Sequence, residues 1–283
     1  MLADIVDRLR CPHCAGDLAL DVRTLRCPNG HTFDVAKQGY VSLLTGHAPA
    51  VPGDTAAMVA ARESFLTGGH FAGITSLLAA RAAALPAGVP AAAGDRCVLD
   101  LGAGTGHYLA SVLDALPGWT GIAADISGYA LRRAARAHAR AGAVRCDAWR
   151  PLPLKNGAVD VVINVFAPRN GAELNRVLKP GGVVLVVGPT DRHLRELASA
   201  VGAVSVDPRK SDRLDAALGP HLTRVGSEEY ETTLRLSHAE AVTAVAMGPA
   251  AWHVEPDVLA ERVGALPEPV DVTVSVTLST YRR

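Results

Sequence analysis

Two groups of residues in this chain have types and spacings that can do chemistry. The first is Asp100-Leu101-Gly102-Ala103-Gly104-Thr105-Gly106-His107, which sets three alternating glycines two residues after a carboxylate. An apolar run, Cys97 to Leu101, precedes the glycines, and a helical pattern of Leu109, Val112, Leu113 and Leu116 follows them. Strand, glycine turn, helix opens a nucleotide-binding βαβ unit, because a backbone without Cβ atoms turns tightly and lets a ligand approach. Asp125 ends the next apolar run, Gly121 to Ala124, where such folds place a ribose-binding carboxylate. A dinucleotide fingerprint needs a third glycine where His107 stands, so a nicotinamide-dependent dehydrogenase is disfavoured. The second group is Cys11-Pro12-His13-Cys14 and Cys27-Pro28-Asn29-Gly30-His31, with the spacing C-x2-C-x12-C-x3-H. Paired knuckles of this kind bring four ligands to one tetrahedral zinc, here Cys11, Cys14, Cys27 and His31. His13 sits inside the first knuckle, but if it replaced a ligand the second half would lack its fourth group.

A carboxylate at Asp100 repels a pyrophosphate and suits an ammonium. The pattern D-x-G-x-G-x-G resembles motif I of class I methyltransferases, which implies S-adenosyl-L-methionine as the cofactor. The turn Lys179-Pro180-Gly181-Gly182 is taken as a further part of the same signature.

These groups need a frame. From Arg96 onward strands (96–101, 119–125, 143–147, 159–165, 183–188) alternate with helices (107–116, 128–141, 170–178, 191–201). Alternation of this type implies a parallel sheet with right-handed crossovers and a ligand site at the carboxyl ends of its strands. Asp147 then falls either beside an adenine, accepting from its exocyclic amine, or in an ordinary turn. Residues 210–218 read as a helix and 223–236 partly as a strand, and Ser237-x-x-Glu240 is a capping box. Met247-Gly248-Pro249 breaks the helix that follows, and residues 270–281 alternate as a last strand.

Upstream, residues 17–26 can form a hairpin, and Val41 to Gly53 reads as a loop. Asp54 is read as the N-cap of a helix bearing Met58, Arg62, Phe65 and Leu66, which stops at Gly68-Gly69. A second helix carries Phe71, Ile74, Leu77, Leu78 and Leu85, and Pro86 to Asp95 is a linker. The expected organisation is a zinc-binding RNA-recognition module at 1–47, a helical connector and linker at 48–95, and an S-adenosylmethionine-dependent methyltransferase domain at 96–283. The fold class is α/β: a Rossmann-like class I methyltransferase fold with an N-terminal zinc ribbon.

The 283 residues are 49% hydrophobic but 4% aromatic, so aliphatic side chains and alanine must fill the core. No apolar run can span a bilayer, and the N-terminus carries no signal-peptide pattern, so a cytoplasmic location and no membrane partner are expected. Five cysteines, an odd number, argue for metal or free thiols, and Cys97 and Cys146 lie in apolar runs as buried thiols. A net charge of +0 is not the global signature of a nucleic-acid binder. Arg132, Arg133, Arg136 and Arg140 form either a local phosphate-contacting cluster or a solvated helix face.

Taken together, the zinc knuckles, residues 33–41, the stretch from Ala60 to Phe71, Asp100 to Tyr108, Phe166-Ala167-Pro168 and Met247 to Trp252 make the whole chain resemble one family. It is that of the 23S rRNA (guanine-N1)-methyltransferases, which includes macrolide-resistance methylases of actinobacteria. The resemblance implies cofactor contacts at Phe71, at the turn Gly106, His107, Tyr108 and Leu109, and at His193. It implies methylation at N1 of a guanine in a 23S rRNA hairpin near the peptide exit tunnel, with tylosin-type resistance as a consequence. One departure is the loop 45–53, which has no lysine or arginine where some members are basic. Guanine N1 carries a proton, so a general base or a group stabilising the anion at O6 is expected. Asn164 ends the fourth strand; after it, Phe166 is either a base-stacking ring or core, and Arg169 either an O6 partner or a surface residue. Trp252 and His253 are further candidates for the base pocket. The catalytic base is not identified by the sequence. Expected partners are the rRNA hairpin and a second copy in a homodimer. Two other readings fit parts of the chain: a small-molecule methyltransferase, which needs no zinc module, and a non-enzymatic zinc-ribbon RNA binder, which needs no glycine turn.

Overall fold

The computed structural model of the protein describes residues 1–46, 53–85, 95–202 and 210–283. Most of the loop 45–53, and the linker read at 86–95 except Asp95, lie outside the described residues.

The chain begins with a short 3-10 turn and a three-stranded antiparallel sheet: β1 (Ala19–Asp21), β2 (Thr24–Arg26) and β3 (Thr32–Asp34). The first two strands are the hairpin expected at 17–26, paired Ala19 with Arg26 and Asp21 with Thr24. The next strand, β4 (Tyr40–Ser42), departs from the expected loop beginning at Val41. It leaves the ribbon and pairs in parallel with a strand of the large sheet.

The helices α1 (Ala56–Thr67) and α2 (Ala72–Ala83) come next. The N-cap of α1 is Thr55, whose hydroxyl accepts the Met58 N–H, and not Asp54. The carboxylate of Asp54 is drawn instead to the guanidinium of Arg62, nearly two turns into the helix. After the linker come β5 (Cys97–Leu101), α3 (His107–Ala115), β6 (Thr120–Asp125), α4 (Gly128–Ala137), β7 (Ala141–Arg145), β8 (Val159–Val165), α5 (Gly171–Val177) and β9 (Leu178–Pro189). They are followed by α6 (Arg195–Val201), α7 (Lys210–Leu218), β10 (Thr223–Leu236), α8 (His238–Ala246), α9 (Pro256–Gly264) and β11 (Val270–Arg282). None of the described helices is long and apolar enough to cross a membrane.

The large sheet has the order β10-β11-β9-β8-β5-β6-β7-β4. Strands β4 to β9 run parallel, and β11 and β10 close one edge antiparallel. Strands β5 and β8 are buried along their whole length, as central parallel strands covered on both faces must be. Their residues divide between two cores. Val98, Ala123, Ile163 and Leu185 face α1–α4, α6, α8 and α9; Leu99, Ile122, Val162 and Val184 face α5, α7 and the N-terminal segment.

That segment takes the place of a covering helix. Ile5, Leu9 and Leu25 are fully buried, and Ile5 lies on bare backbone: a Cβ on Gly142 would come 2.4 Å from its Cδ1. Leu9 bridges Leu154, and Arg10 N–H donates to the Pro153 carbonyl. The ribbon therefore shares the core of the methyltransferase sheet, so losing a buried ribbon residue such as Leu25 also uncovers that sheet.

Several boundaries differ from the periodicity. Strand β7 ends at Arg145, which leaves Asp147 in the loop beyond it. Helix α4 stops at Ala137, before His138 and Arg140. Arg140 turns inward and donates to the carbonyls of Leu113, Leu116 and Trp119, so it is no phosphate contact. Helix α6 begins at Arg195, because Leu194 holds a left-handed φ of 54°. The Lys179-Pro180-Gly181-Gly182 turn is an excursion at the amino end of β9, opposite Asp160, and Lys179 Nζ lies 3.1 Å from the Asp160 carboxylate. It sits at the other end of the strands from the glycine turn and belongs to the scaffold.

Candidate cofactor and metal sites

The ribbon brings Cys11, Cys14, Cys27 and His31 together, with one ligand atom from each within 4.8 Å of all the others. Cys14 Sγ and Cys27 Sγ are 3.7 Å apart, and His31 Nδ1 is 3.3 Å from Cys27 Sγ and 3.6 Å from Cys11 Sγ. Tetrahedral zinc with Zn–S bonds of about 2.3 Å has S···S edges of about 3.8 Å, so the four groups fit the ion. Gly30, at φ +83°, makes the second knuckle's turn. The backbone of Gly16 and the side chain of Asn29 pull the Cys14 thiol down to about 6, toward the thiolate a metal takes. His13 stacks on Phe33 at 5.9 Å and is not part of the cluster. Cys97 and Cys146 are buried thiols elsewhere, both raised by burial.

The second site lies at the carboxyl ends of β5, β6 and β8. Gly102, Gly104 and Gly106 all have positive φ: +81°, +54° and +81°. At Gly102 a Cβ would come 2.3 Å from Ala167 Cβ, so this glycine lets the loop after β8 rest directly on the turn. At Gly106 a Cβ would meet Ala137 and Ala134 of α4 at 2.9 and 3.0 Å. At Gly104 a Cβ would meet only Arg62, 3.6 Å away, which leaves an open cradle.

Asp125 fastens the turn. Its Oδ2 accepts Gly104 N–H at 2.8 Å and its Oδ1 accepts Ser127 N–H at 2.7 Å, while burial still raises its carboxyl. Each oxygen keeps a lone pair that a ribose hydroxyl can use. Asp100 is 1% exposed, and its Oδ2 has no hydrogen-bond partner. Burial, and then the charge of Asp125, push its carboxyl up to about 8, against the pull of the Leu109 backbone. A buried, unpartnered carboxyl oxygen beside an open glycine turn fits a cationic ligand group. The fit to S-adenosylmethionine rests on these two features.

The remaining sequence candidates divide. Tyr108 is buried in α3 and feels the charges of both Arg62 and Asp100. The imidazole of His107 turns away: its Nε2 is 3.2 Å from the Thr75 hydroxyl of α2, so only its backbone belongs to the turn. Phe71, Phe166 and His193 form an aromatic trio, with centroids 6.2 Å (Phe71–Phe166), 5.8 Å (Phe71–His193) and 5.3 Å (Phe166–His193) apart. The Ser275 N–H donates to His193 Nδ1, which fixes the ring. Phe166 is 39% exposed and holds a left-handed φ of 52°, an uncommon conformation for a non-glycine residue and one that concentrates at functional sites.

Asn164 is fully buried; its Nδ2 donates to the Leu101 and Pro168 carbonyls, which ties the glycine turn to the Phe166 loop, and its Oδ1 has no partner. Arg169 is half-buried and feels the Tyr281 hydroxyl of β11, on the α5–α7 face. Asp147 is buried, with Oδ1 taken by Trp149 N–H. Its Oδ2 makes no hydrogen bond and lies 3.5 Å from Arg150 Nε. It borders a cavity of about 120 Å³ shared with Pro12 of the first knuckle and Leu43. Trp252 is 47% exposed in a 3-10 turn after α8. His253 beside it is also exposed.

Arg62 of α1 also reaches the glycine turn, at Gly104, which its position in the sequence does not reveal. Its signal was a lone arginine nearly two turns into a helix whose larger apolar residues are Met58, Val59, Phe65 and Leu66.

Residues 9–48 match the family described as "RlmA, N-terminal", a zinc ribbon, and residues 98–182 match the family described as "Methyltransferase domain". The 23S rRNA (guanine(748)-N(1))-methyltransferase of Streptomyces fradiae is 49% identical over 100% of this chain and 99% of its own. The chain belongs to the 23S rRNA (guanine-N1)-methyltransferase family. A Micromonospora griseorubida protein, provisionally named as such an enzyme, is 51% identical over 100% of this chain and 99% of its own. Among solved structures, a provisionally named methyltransferase from Bacillus halodurans C-125 matches 74% of this chain and 97% of its own, at 17% identity and a TM-score of 0.51, which shows the shared fold. As a member of this family the chain is an enzyme that uses S-adenosylmethionine and holds a structural zinc.

Proposed function

We propose that the protein methylates N1 of one guanine in 23S rRNA, within a hairpin near the peptide exit tunnel, and thereby confers resistance to tylosin-type macrolides. The guanine is the one at position 748, the position in the name of the Streptomyces fradiae relative. The observation that carries this reading is the close approach of Ala167 to Gly102, which rests the loop bearing the exposed Phe166 on the glycine turn of a chain that also bears an RlmA-type ribbon.

When bound, S-adenosylmethionine supplies a methyl group on a sulfonium. The chain's residues do the positioning, which can contribute about 7–11 kcal/mol to such a transfer. Asp100 and Asp125 hold the cofactor's polar ends, and residues 102–106 give it a surface without side chains. Phe166 stacks on the unpaired guanine, the usual way an RNA base outside a helix is gripped. Asn164 keeps the stacking loop and the cofactor turn in register. On the surface, Arg132 and Arg136 of α4 are exposed for phosphate contacts; Arg132 lies over the Tyr129 ring at 5.1 Å, and Arg133 is paired with Glu63 at 2.8 Å. The division into a zinc module at 1–47, a connector at 48–95 and a catalytic domain at 96–283, working in the cytoplasm, is part of this reading.

The test is transfer of labelled methyl from S-adenosylmethionine, offered in parallel to 23S rRNA and to a metabolite extract. Label in the RNA alone supports the reading. Label in the extract alone replaces it with the small-molecule one.

A further inference from the structure

The amino-acid end of S-adenosylmethionine is a zwitterion. It brings an ammonium, which an anion must meet, and an α-carboxylate, which needs a cation or hydrogen-bond donors. Asp100 answers the first need. The cation that the turn meets is Arg62 of α1. A Cβ on Gly104 would lie 3.6 Å from both Arg62 Cδ and Nη1, with nothing else within 4 Å. Arg62 therefore covers the one glycine of the three whose Cβ side faces open space.

Its present partners are few and exchangeable. Nη1 is held by the Asp54 carboxylate, and Nη2 donates to the Met247 carbonyl at 2.6 Å. The side chain is 26% exposed, recessed but reachable, and Asp54 is 27% exposed. Asp54 sits at the Asp125 turn, because Ser127 Oγ donates to the Asp54 carbonyl at 2.7 Å. The guanidinium thus stands amid the carboxylates of Asp54 and Asp125 while a ligand bearing a third carboxylate must dock on the same turn. A planar guanidinium offers five N–H donors in a fork that matches a carboxylate.

We propose that Arg62 receives the α-carboxylate of S-adenosylmethionine, exchanging its Asp54 contact for the ligand while keeping the Met247 carbonyl. This rests on S-adenosylmethionine being the cofactor. It makes Arg62 a binding residue for the amino-acid end, and Asp54 the internal carboxylate that occupies Arg62 in the ligand-free chain. Through Met247, the same side chain joins the segment leading to Trp252 to the filled cofactor site.

The experiment is calorimetric binding of S-adenosylmethionine and of decarboxylated S-adenosylmethionine, which lacks only this carboxylate, to the full chain. The wild type should prefer S-adenosylmethionine at least about tenfold, about 1.4 kcal/mol at 25 °C. Arg62→Met should lose that preference by weakening S-adenosylmethionine while leaving the decarboxylated ligand unchanged. Asp54→Asn removes the competitor without touching the guanidinium, and should tighten S-adenosylmethionine alone; it decides the matter should Arg62→Met fail to fold. An unchanged preference in Arg62→Met, or equal weakening of both ligands, reduces Arg62 to a structural brace and overturns the proposal. So does an Asp54→Asn chain in which both ligands shift together or neither shifts. A wild-type chain that binds both ligands alike refutes the carboxylate contact alone. One that binds neither overturns the cofactor assignment itself, and this proposal with it.

Discussion

Substituting alanine for each glycine of the turn separates scaffold from site. Gly104 has φ +54°, in the left-handed region, where a Cβ costs about 1–2 kcal/mol. The new methyl would stand 3.6 Å from Arg62, an ordinary contact, so Gly104→Ala should fold with only that loss. Gly102→Ala and Gly106→Ala have similar φ strain, and their Cβ atoms would lie 2.3 Å from Ala167 and 2.9 Å from Ala137. Overpacking of that kind adds about 1–3 kcal/mol, so these two should lose about 2–5 kcal/mol in all. Urea denaturation should therefore rank Gly104→Ala as the most stable of the three. Calorimetry should rank it as impaired, because its methyl lies on the surface the cofactor needs: affinity should fall at least about tenfold, or about 1.4 kcal/mol. A Gly104→Ala protein that is folded and binds with undiminished affinity would refute the placement of the cofactor on this turn. Equal destabilisation by all three would refute the packing argument.

Further outcomes follow from the same geometry. Cys27→Ala removes one of four ligands, so metal analysis should fall from about one zinc per chain toward none, and the ribbon should open to proteolysis; full zinc content would remove Cys27 from the site. Asp100, whose carboxyl burial pushes up to about 8, should hold a proton at pH 7 in the ligand-free chain. A cationic ligand favours its ionised form, so binding at pH 7 should release a proton and affinity should rise with pH until about 8. Identical binding heats in two buffers of different protonation enthalpy would count against this. The same raised carboxyl makes folding take up a proton between about 4 and 8, so its contribution to stability falls as pH climbs through that window; Asp100→Asn should flatten the slope while weakening the cofactor. Phe166→Ala, on an exposed loop, should leave cofactor affinity unchanged and lower kcat/KM for RNA at least about tenfold, since stacking on one base is worth about 1–3 kcal/mol. Loss of cofactor binding instead would place that ring against the cofactor rather than the base.

Much of the scaffold was legible because local rules decide it. Cys97 to Leu101 is a buried apolar run, Ser237 and Glu240 do form a reciprocal cap, and the spacing of four metal ligands leaves little freedom. Contacts distant in sequence were not legible. Residues 40–42 are too few to show a strand period, and β4 exists because an edge of the large sheet accepts it. Asp54 has the type of an N-cap, but a cation 8 residues on outbid that role, and Thr55 took it. Arg140 belongs to a charged helical pattern, yet the open carbonyls at the end of α3 draw it inward. The Lys179-Pro180-Gly181-Gly182 turn carries ligand-like glycines, but the direction of β9 sends it to the far end of the strands. At the site, the glycines and acids were readable as types; the partnership of Arg62 with Gly104 was not, since 42 positions separate them.

The central claim is methyl transfer to N1 of a guanine in 23S rRNA, and reverse transcription tests it most directly. Methylation at N1 removes Watson–Crick pairing, so primer extension on 23S rRNA treated with the protein and S-adenosylmethionine should stop one nucleotide before a single guanine. Nuclease digestion of the same RNA should release 1-methylguanosine. A full-length transcript from treated RNA, with no methylated guanosine in the digest and with zinc and cofactor both shown bound, would contradict the account.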